Sequence, residues 1–142
     1  MKNLILVIAA SAFISLSVSA QSGKNVPALV KTAFSQKFVK ATDVKWDKEG
    51  KTEWEAEFKL DGKSYSANFD TTGNWLETEF SISTSEIPTV VKTTIVKDYS
   101  AYKVKGIDVS ETPKGKVYEV TFLKGVKSME LVFDINGKIV KE

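Results

Sequence analysis

The chain has 142 residues with 20 basic and 18 acidic side chains, and it contains neither cysteine nor histidine. All of the basic residues are lysine. These absences exclude thiol nucleophiles, serine–histidine triads and the usual cysteine and histidine zinc sites. An almost even charge without arginine, the side chain best suited to phosphate and guanine, argues against nucleic-acid binding. No cofactor is predicted.

The first 20 residues have the layout of a secretory signal peptide. One early cation, Lys2, precedes an apolar run from Leu4 to about Leu16, and small residues lead to a cut between Ala20 and Gln21. The apolar run is shorter than the roughly 20 residues that span a bilayer, and no cysteine is present to carry a lipid anchor. We therefore expect a mature protein of 142 − 20 = 122 residues that is periplasmic or secreted and not inserted in a membrane.

The mature chain is expected to contain two copies of one folding unit, residues 21–85 and 86–142. The phrase FDTTGNW at residues 69–75 returns as FDINGKI at residues 133–139, and VPALVKTAF near the start of the mature chain returns as IPTVVKTTI. Duplication of a supersecondary unit is the simplest explanation. Neither copy alone has many large apolar side chains, so we expect the two to form one compact unit.

Each copy begins with an amphipathic pattern and continues with period-two alternation, which predicts a helix followed by strands. In chain order the predicted elements are helix 26–38, strands 43–48, 52–60, 63–70 and 75–82, helix 87–99, and strands 102–111, 116–123, 127–134 and 137–141. One-sided alternation indicates an antiparallel sheet with one covered and one wet face. The predicted fold is therefore α+β, with two tandem α-β-β-β-β repeats and both helices on one face.

The order of motifs resembles a known family. VP-x-x-V-x-x-AF (26–34), V-x-W (44–46), WEAEF (54–58), Y-x-A-x-FD-x-x-G-x-WLETE (65–79) and IP-x-x-V (87–91) follow the pattern of the PepSY-like, beta-lactamase-inhibitor-like family of exported bacterial proteins. The resemblance covers essentially the whole mature chain. It implies tandem copies of a helix with a four-stranded antiparallel sheet and a location in the Gram-negative envelope or outside the cell. It implies no shared set of inhibitory residues.

The repeated phrase itself could bind calcium or form a turn. Asp70 and Asp134 supply one carboxylate each, whereas an EF-hand-type loop needs several oxygen ligands. An aspartate that bonds its own backbone, followed by Gly73 or Gly137 in a left-handed conformation, is typical of a tight turn. The sequence therefore predicts turns, and no metal site.

Four carboxylates are candidates for a functional surface: Glu55 and Glu57 on one strand, and Glu77 and Glu79 on another. Paired carboxylates in a cleft can hydrolyse glycosides, but alternate positions on a wet sheet face are normally solvated, so we predict no catalytic residue. If Leu76 points inward, Trp75 lies outward beside Glu77 and Glu79 as an aromatic anchor for a partner. The alternative is that Trp75 caps the end of the sheet.

These observations predict a non-enzymatic exported protein that binds a protein or peptide partner, for example to inhibit an envelope hydrolase. The predicted contact residues are Trp75, Glu77, Glu79, Glu55 and Glu57. The alternative is a periplasmic carrier of a small ligand, with a cavity between the helices and the sheet.

Overall fold

The computed structural model describes residues 25–140, which form two helices and one seven-stranded sheet. The signal peptide predicted at residues 1–20 lies outside this range. The elements are α1 (Ala28–Lys37), β1 (Thr42–Glu49), β2 (Glu53–Leu60), β3 (Lys63–Asp70), β4 (Trp75–Ser81), α2 (Thr89–Asp98), β5 (Lys103–Thr112), β6 (Gly115–Lys124) and β7 (Lys127–Asp134). Neither helix is long and apolar enough to cross a membrane within the described residues.

The seven strands are arranged in chain order, and each pairs antiparallel with the next. Short turns join the strands within each half, whereas α2 lies between β4 and β5. These two strands nevertheless pair directly, with Phe80 opposite Val109 and Ser81 opposite Asp108. One continuous sheet therefore runs through both halves, and the predicted α+β class is confirmed.

The strand predicted at residues 137–141 is reduced to a short pairing at the edge of the sheet. Ile139 forms an isolated bridge with Phe133, and the Val140 N–H donates to the Val132 carbonyl at 2.8 Å. Residue 141 of the predicted strand lies outside the described residues. The described part, residues 137–140, directly follows the turn at Gly137 and makes only these pairings with β7.

Each helix begins one residue after a proline. Pro27 (φ −57°, ψ 144°) and Pro88 (φ −54°, ψ 141°) have extended backbones, so both helices begin about two residues later than predicted. Their carbonyls still accept the first helical bonds, from amides four residues ahead, at 3.1 and 3.0 Å. No side chain caps either N-terminus, so the helices depend on packing for their stability.

The core lies between the helices and the covered side of the sheet, in two neighbouring clusters. The buried residues under α1 are Val26, Val30, Phe34, Trp54, Ala56, Phe58, Ala67 and Phe69. Those under α2 are Ile87, Val91, Ile95, Ile107, Val109, Tyr118, Val120, Phe122 and Phe133. The rings of Tyr65 and Phe80, 4.9 Å apart, join the two clusters.

The turns predicted at the repeated phrase are confirmed. In both, Oδ1 of the aspartate, Asp70 or Asp134, accepts hydrogen bonds from the amides two and four residues ahead, each at 2.9 Å. Hydrogen bonds from the Thr72 hydroxyl and from Asn74 lower the pKa of Asp70 to about 2. Both aspartates are thus engaged in holding the turn.

Gly73 and Gly137 allow these turns to touch the helices. Their φ angles are +90° and +75°, in the region that favours glycine. A Cβ on Gly73 would lie 2.8 Å from the Leu29 carbonyl oxygen, and a Cβ on Gly137 would lie 2.8 Å from that of Val90. Each turn therefore sits directly against a helix backbone.

Candidate binding face

The side of the sheet turned away from α1 and α2 is the open face, and it gathers the carboxylates of the strands. Among the described residues, the strand register places these carboxylates on it: Asp47, Glu49, Glu53, Glu55, Glu57, Asp70, Glu77, Glu79, Asp108, Glu119, Glu130 and Asp134. The register places three lysines on this side, Lys45, Lys59 and Lys103. Twelve carboxylates against three lysines make the open face strongly acidic, although the whole chain has a formal charge of +2.

The predicted carboxylates come together in the middle of this face. One row across β2 to β5 contains Glu57, Ser66, Glu79 and Ser110, and the next contains Glu55, Asn68 and Glu77. The buried hydroxyl of Ser110 donates a short hydrogen bond to Oε1 of Glu77, which ties β5 to β4. The structure thus brings all four predicted glutamates onto one surface.

Trp75 does not belong to that surface. Its ring is half-buried against the cluster under α1, and Nζ of Lys37 lies 3.6 Å from the ring centroid. The indole N–H donates to the Glu77 carbonyl at 2.7 Å and to the Thr78 hydroxyl at 2.9 Å. The predicted outward orientation of Trp75 was wrong, and the alternative, a cap at the end of the sheet, agrees with these contacts.

The cause is an irregularity in strand pairing. Asn68 is opposite Glu77, but the next residue, Phe69, is opposite Trp75, so β4 contains one additional residue, Leu76. An extra residue breaks the alternation of sides, so the residue that precedes it projects to the side opposite to the one that strict alternation predicts. Trp75 therefore joins Phe69 on the covered side, and Leu76 lines a groove with Glu77 instead of entering the core.

Crowding of carboxylates changes the chemistry of Glu79. Its pKa is raised to about 7, first by burial and then by the negative charges of Glu77, Glu119, Glu55 and Asp108. The pKa of Glu55 is also raised, mainly by burial and then by neighbouring carboxylates. The centre of the open face is therefore a site where negative charge is costly and an approaching cation is favoured.

Two grooves include residues of the open face. The first, of about 740 Å³, is lined by side chains that include Glu57, Glu79 and Asp108. The second, of about 660 Å³, contains four aliphatic side chains beside Glu77, and Lys114 and Lys116 also line it. These aliphatic residues are Leu76, Val117, Ile135 and Val140. Because Glu79 is opposite Ser110, which lines the second groove, an acidic groove and a partly aliphatic groove adjoin each other.

Both edges of the sheet are protected against pairing with another strand. β1 has an irregular pairing between Thr42 and Lys45, a positive φ of 54° at Asp43, and further charged residues along its length. The segment after β7 pairs with the last three residues of the opposite edge, with the Asp134 N–H donating to the Lys138 carbonyl at 2.9 Å. Such devices hinder edge-to-edge association at these positions.

Sequence reasoning missed the acidic residues that the second half contributes. Asp108 and Glu119 are directly opposite each other, next to the strand that carries Glu79. Each alternates with buried neighbours, so its outward position could have been predicted from the pattern. Its proximity to Glu79 depends on the pairing of β4 with β5, which no local pattern reveals.

A sheet with two helices on one side and an uncovered opposite side defines a beta-lactamase-inhibitor-like class of protein. The model of the family described as "Putative beta-lactamase-inhibitor-like, PepSY-like" matches residues 52–141. The chain belongs to this family, and the resemblance inferred from the sequence is confirmed. No curated protein matches the chain.

Several solved structures have the same fold. A BLIP-like protein from Bacteroides fragilis is 26% identical, with a TM-score of 0.75 over 84% of this chain and 86% of that one. A DUF2874 family protein from Bacteroides ovatus is 20% identical (TM-score 0.75; 84% and 87% covered). A protein from Bacteroides eggerthii, described among "putative periplasmic proteins", is 16% identical (TM-score 0.73; 82% and 87% covered). The last two likenesses show the fold alone.

Proposed function

We propose that this protein is a non-enzymatic, exported binding protein that holds a protein or peptide partner on its open face. The observation that carries the proposal is an acidic sheet face that neither helix covers. A periplasmic or secreted location is supported by the signal peptide predicted from the sequence.

The first partner to test is an envelope hydrolase that the protein would restrain by covering its active site. Support comes from the family description and from the BLIP-like protein of Bacteroides fragilis. Of the predicted contact residues, Glu55, Glu57, Glu77 and Glu79 stay in this proposal. Trp75 is removed from it, because its ring packs on the covered side.

Catalysis by a carboxylate pair has one observation in its favour, the raised pKa of Glu79, which a general acid requires. The same shift follows from crowding on an acidic binding surface. Family membership also points to an inhibitor-type fold and not to a known enzyme family. We therefore favour binding, and retention of binding by Glu79→Gln at pH 5 would agree with this choice.

A small-ligand carrier would need space between the helices and the sheet. Under α1 that region contains closely packed rings, with centroids 5.1 Å apart for Phe34 and Phe58 and 4.6 Å apart for Phe38 and Phe58. The two grooves described above are lined by residues of the open face and do not form a cavity between the helices and the sheet. Packing of this kind favours the open face as the functional surface.

The proposal is tested by affinity capture from an envelope extract of the producing organism. The immobilised wild type is compared with Glu77→Lys/Glu79→Lys on the open face and with Lys31→Glu/Lys92→Glu on the helices. We expect a protein that the wild type and the helix variant retain and that the open-face variant loses. A captured hydrolase is then assayed with and without the protein. Equal retention by both variants, or no specific capture, would count against the proposal.

A further inference from the structure

We propose that the segment bound by the open face is cationic and partly aliphatic, with a lysine or arginine over β4 and an aliphatic side chain in the second groove. This inference rests on the proposed function and names the chemistry of the partner. The partner is thereby distinguished from nucleic acid and from an anionic lipid surface, both of which the acidic face would repel.

Charge complementarity carries the first part of the inference. Glu55, Glu77, Glu79, Asp108 and Glu119 come from four different strands and project onto the same side. Their mutual repulsion raises the pKa of Glu79, after burial as the main cause. A cation placed among them relieves this repulsion, so each contact is more favourable than one with an isolated surface carboxylate.

The spacing of these carboxylates favours an extended cation over a metal ion. Within residues 25–140, no group of three acidic side chains is arranged to hold a metal. The acidic surface instead extends from Asp47 on β1 to Glu130 on β7, with Lys45 and Lys59 near one end. A peptide carrying more than one positive charge matches a surface of this width.

The second groove carries the aliphatic part of the inference. Leu76 is brought into that groove by the bulge in β4, beside the carboxylate of Glu77. Val117 and Val140 line the same groove from the second half of the chain. Its charged lining consists of three carboxylates and two lysines, namely Glu53, Glu77, Asp134, Lys114 and Lys116. An aliphatic surface with more carboxylates than lysines fits a segment in which an aliphatic residue adjoins a lysine or arginine.

A second copy of this chain is the competing occupant. Lys31 and Lys92 lie on the exposed sides of the helices, near the exposed apolar side chains of Leu29 and Val90. Stacking of a helix side on the open face of the next molecule would give a head-to-tail chain. Sedimentation velocity over a hundredfold range of concentration distinguishes the two occupants.

The test uses the chain without its signal peptide and three acetylated, amidated hexapeptides. They are Gly-Lys-Leu-Lys-Leu-Gly, its serine counterpart Gly-Lys-Ser-Lys-Ser-Gly, and its acidic counterpart Gly-Glu-Leu-Glu-Leu-Gly. Binding is measured by NMR titration of the labelled protein. We expect the lysine–leucine peptide to bind most tightly, with the largest amide shifts in β4 and β5, and the acidic peptide not to bind.

Matched variants locate the interaction. Glu77→Gln/Glu79→Gln is expected to lower the affinity for the lysine–leucine peptide about tenfold. Asp61→Asn/Asp98→Asn removes the same charge at two positions that line neither groove, and it should change binding less than about twofold. Leu76→Ser should lower the affinity for the lysine–leucine peptide about fivefold and leave the affinity for the serine peptide unchanged.

Binding of a cation should also release a proton near pH 6.5. Glu79 is partly protonated there, and the bound cation favours its carboxylate form. The calorimetric enthalpy of binding should then depend on the ionisation heat of the buffer, and Glu79→Gln should abolish that dependence.

Three results would overturn the inference. The first is an equal loss of affinity in the open-face double variant and its control, and the second is binding of the acidic peptide. The third is concentration-dependent assembly that the helix variant Lys31→Glu/Lys92→Glu abolishes. A natural partner captured through the open face that has no cationic segment would overturn it while leaving the proposed function intact.

Discussion

The substitution Glu79→Gln should remove a pH-dependent cost from the folded protein. The pKa of Glu79 in the fold is about 7, above its ordinary value of 4.5. Between these values the native state keeps a proton that the unfolded chain releases. Stability therefore decreases as pH rises from about 4.5 to about 7. Glutamine cannot ionise, so the variant should not lose stability from this source.

The size of the effect follows from the two pKa values. Their difference corresponds to about 3 kcal/mol as an upper limit. Solvent screening applies because Glu79 is only partly buried, and it reduces the expected gain to about 1 kcal/mol. Ser110 lies opposite Glu79 but donates its hydroxyl to Glu77, so the substitution breaks no hydrogen bond at this serine.

The assay is urea unfolding of the wild type and Glu79→Gln at pH 4.5, 6, 7 and 8, followed by circular dichroism. The two proteins should agree at pH 4.5, and the variant should be about 1 kcal/mol more stable at pH 8. Asp98→Asn, at the exposed end of α2, is the control and should follow the wild type. If the variant and wild type have the same pH dependence, the pKa of Glu79 is not raised in the folded protein.

Two further predictions concern the contacts that hold the sheet. Gly73→Ala should cost about 3 kcal/mol, because strain at a positive φ adds to a clash with the Leu29 carbonyl. Gly62→Ala, at φ +80° with open space around it, should cost only about 1 kcal/mol, and equal losses in urea unfolding would disprove the close contact with α1. Trp75→Ala should cost about 3 kcal/mol through lost packing, and Trp75→Phe about 1 kcal/mol through its lost indole bonds. If instead Trp75→Ala weakens partner binding while stability is unchanged, the ring contributes to the partner surface.

The element order could be predicted because each element has a local pattern. The prolines at 27 and 88, the alternation of Glu55 with Ala56, and the aspartate–glycine turns each depend on residues a few positions apart. The eighth strand is only partly formed. Its pattern at residues 137–141 is suitable for a strand, but among the described residues it makes only a short pairing with β7.

The open face could be predicted only in its first half. The alternation that assigned Glu77 and Glu79 correctly failed at Trp75, because the bulge at Leu76 is a property of two strands and is absent from either sequence pattern. The acidic neighbours contributed by Asp108 and Glu119 depend on which strands pair. The raised pKa of Glu79 depends on the pairing of several strands, so it could not be predicted from the pattern of one strand.

The uneven distribution of charge has a consequence for how the molecule behaves in solution. A sequence pI of about 8.6 describes a weakly basic protein, which should be held by a cation exchanger near neutral pH. The carboxylates of the open face should make an anion exchanger hold it too, since a resin contacts one side of a molecule at a time. A charged partner experiences the same uneven electrostatic field, which orients the two molecules before they make contact. A nearly neutral protein with its charges placed in this way gains little overall attraction, but the uneven charge orients the approaching partner.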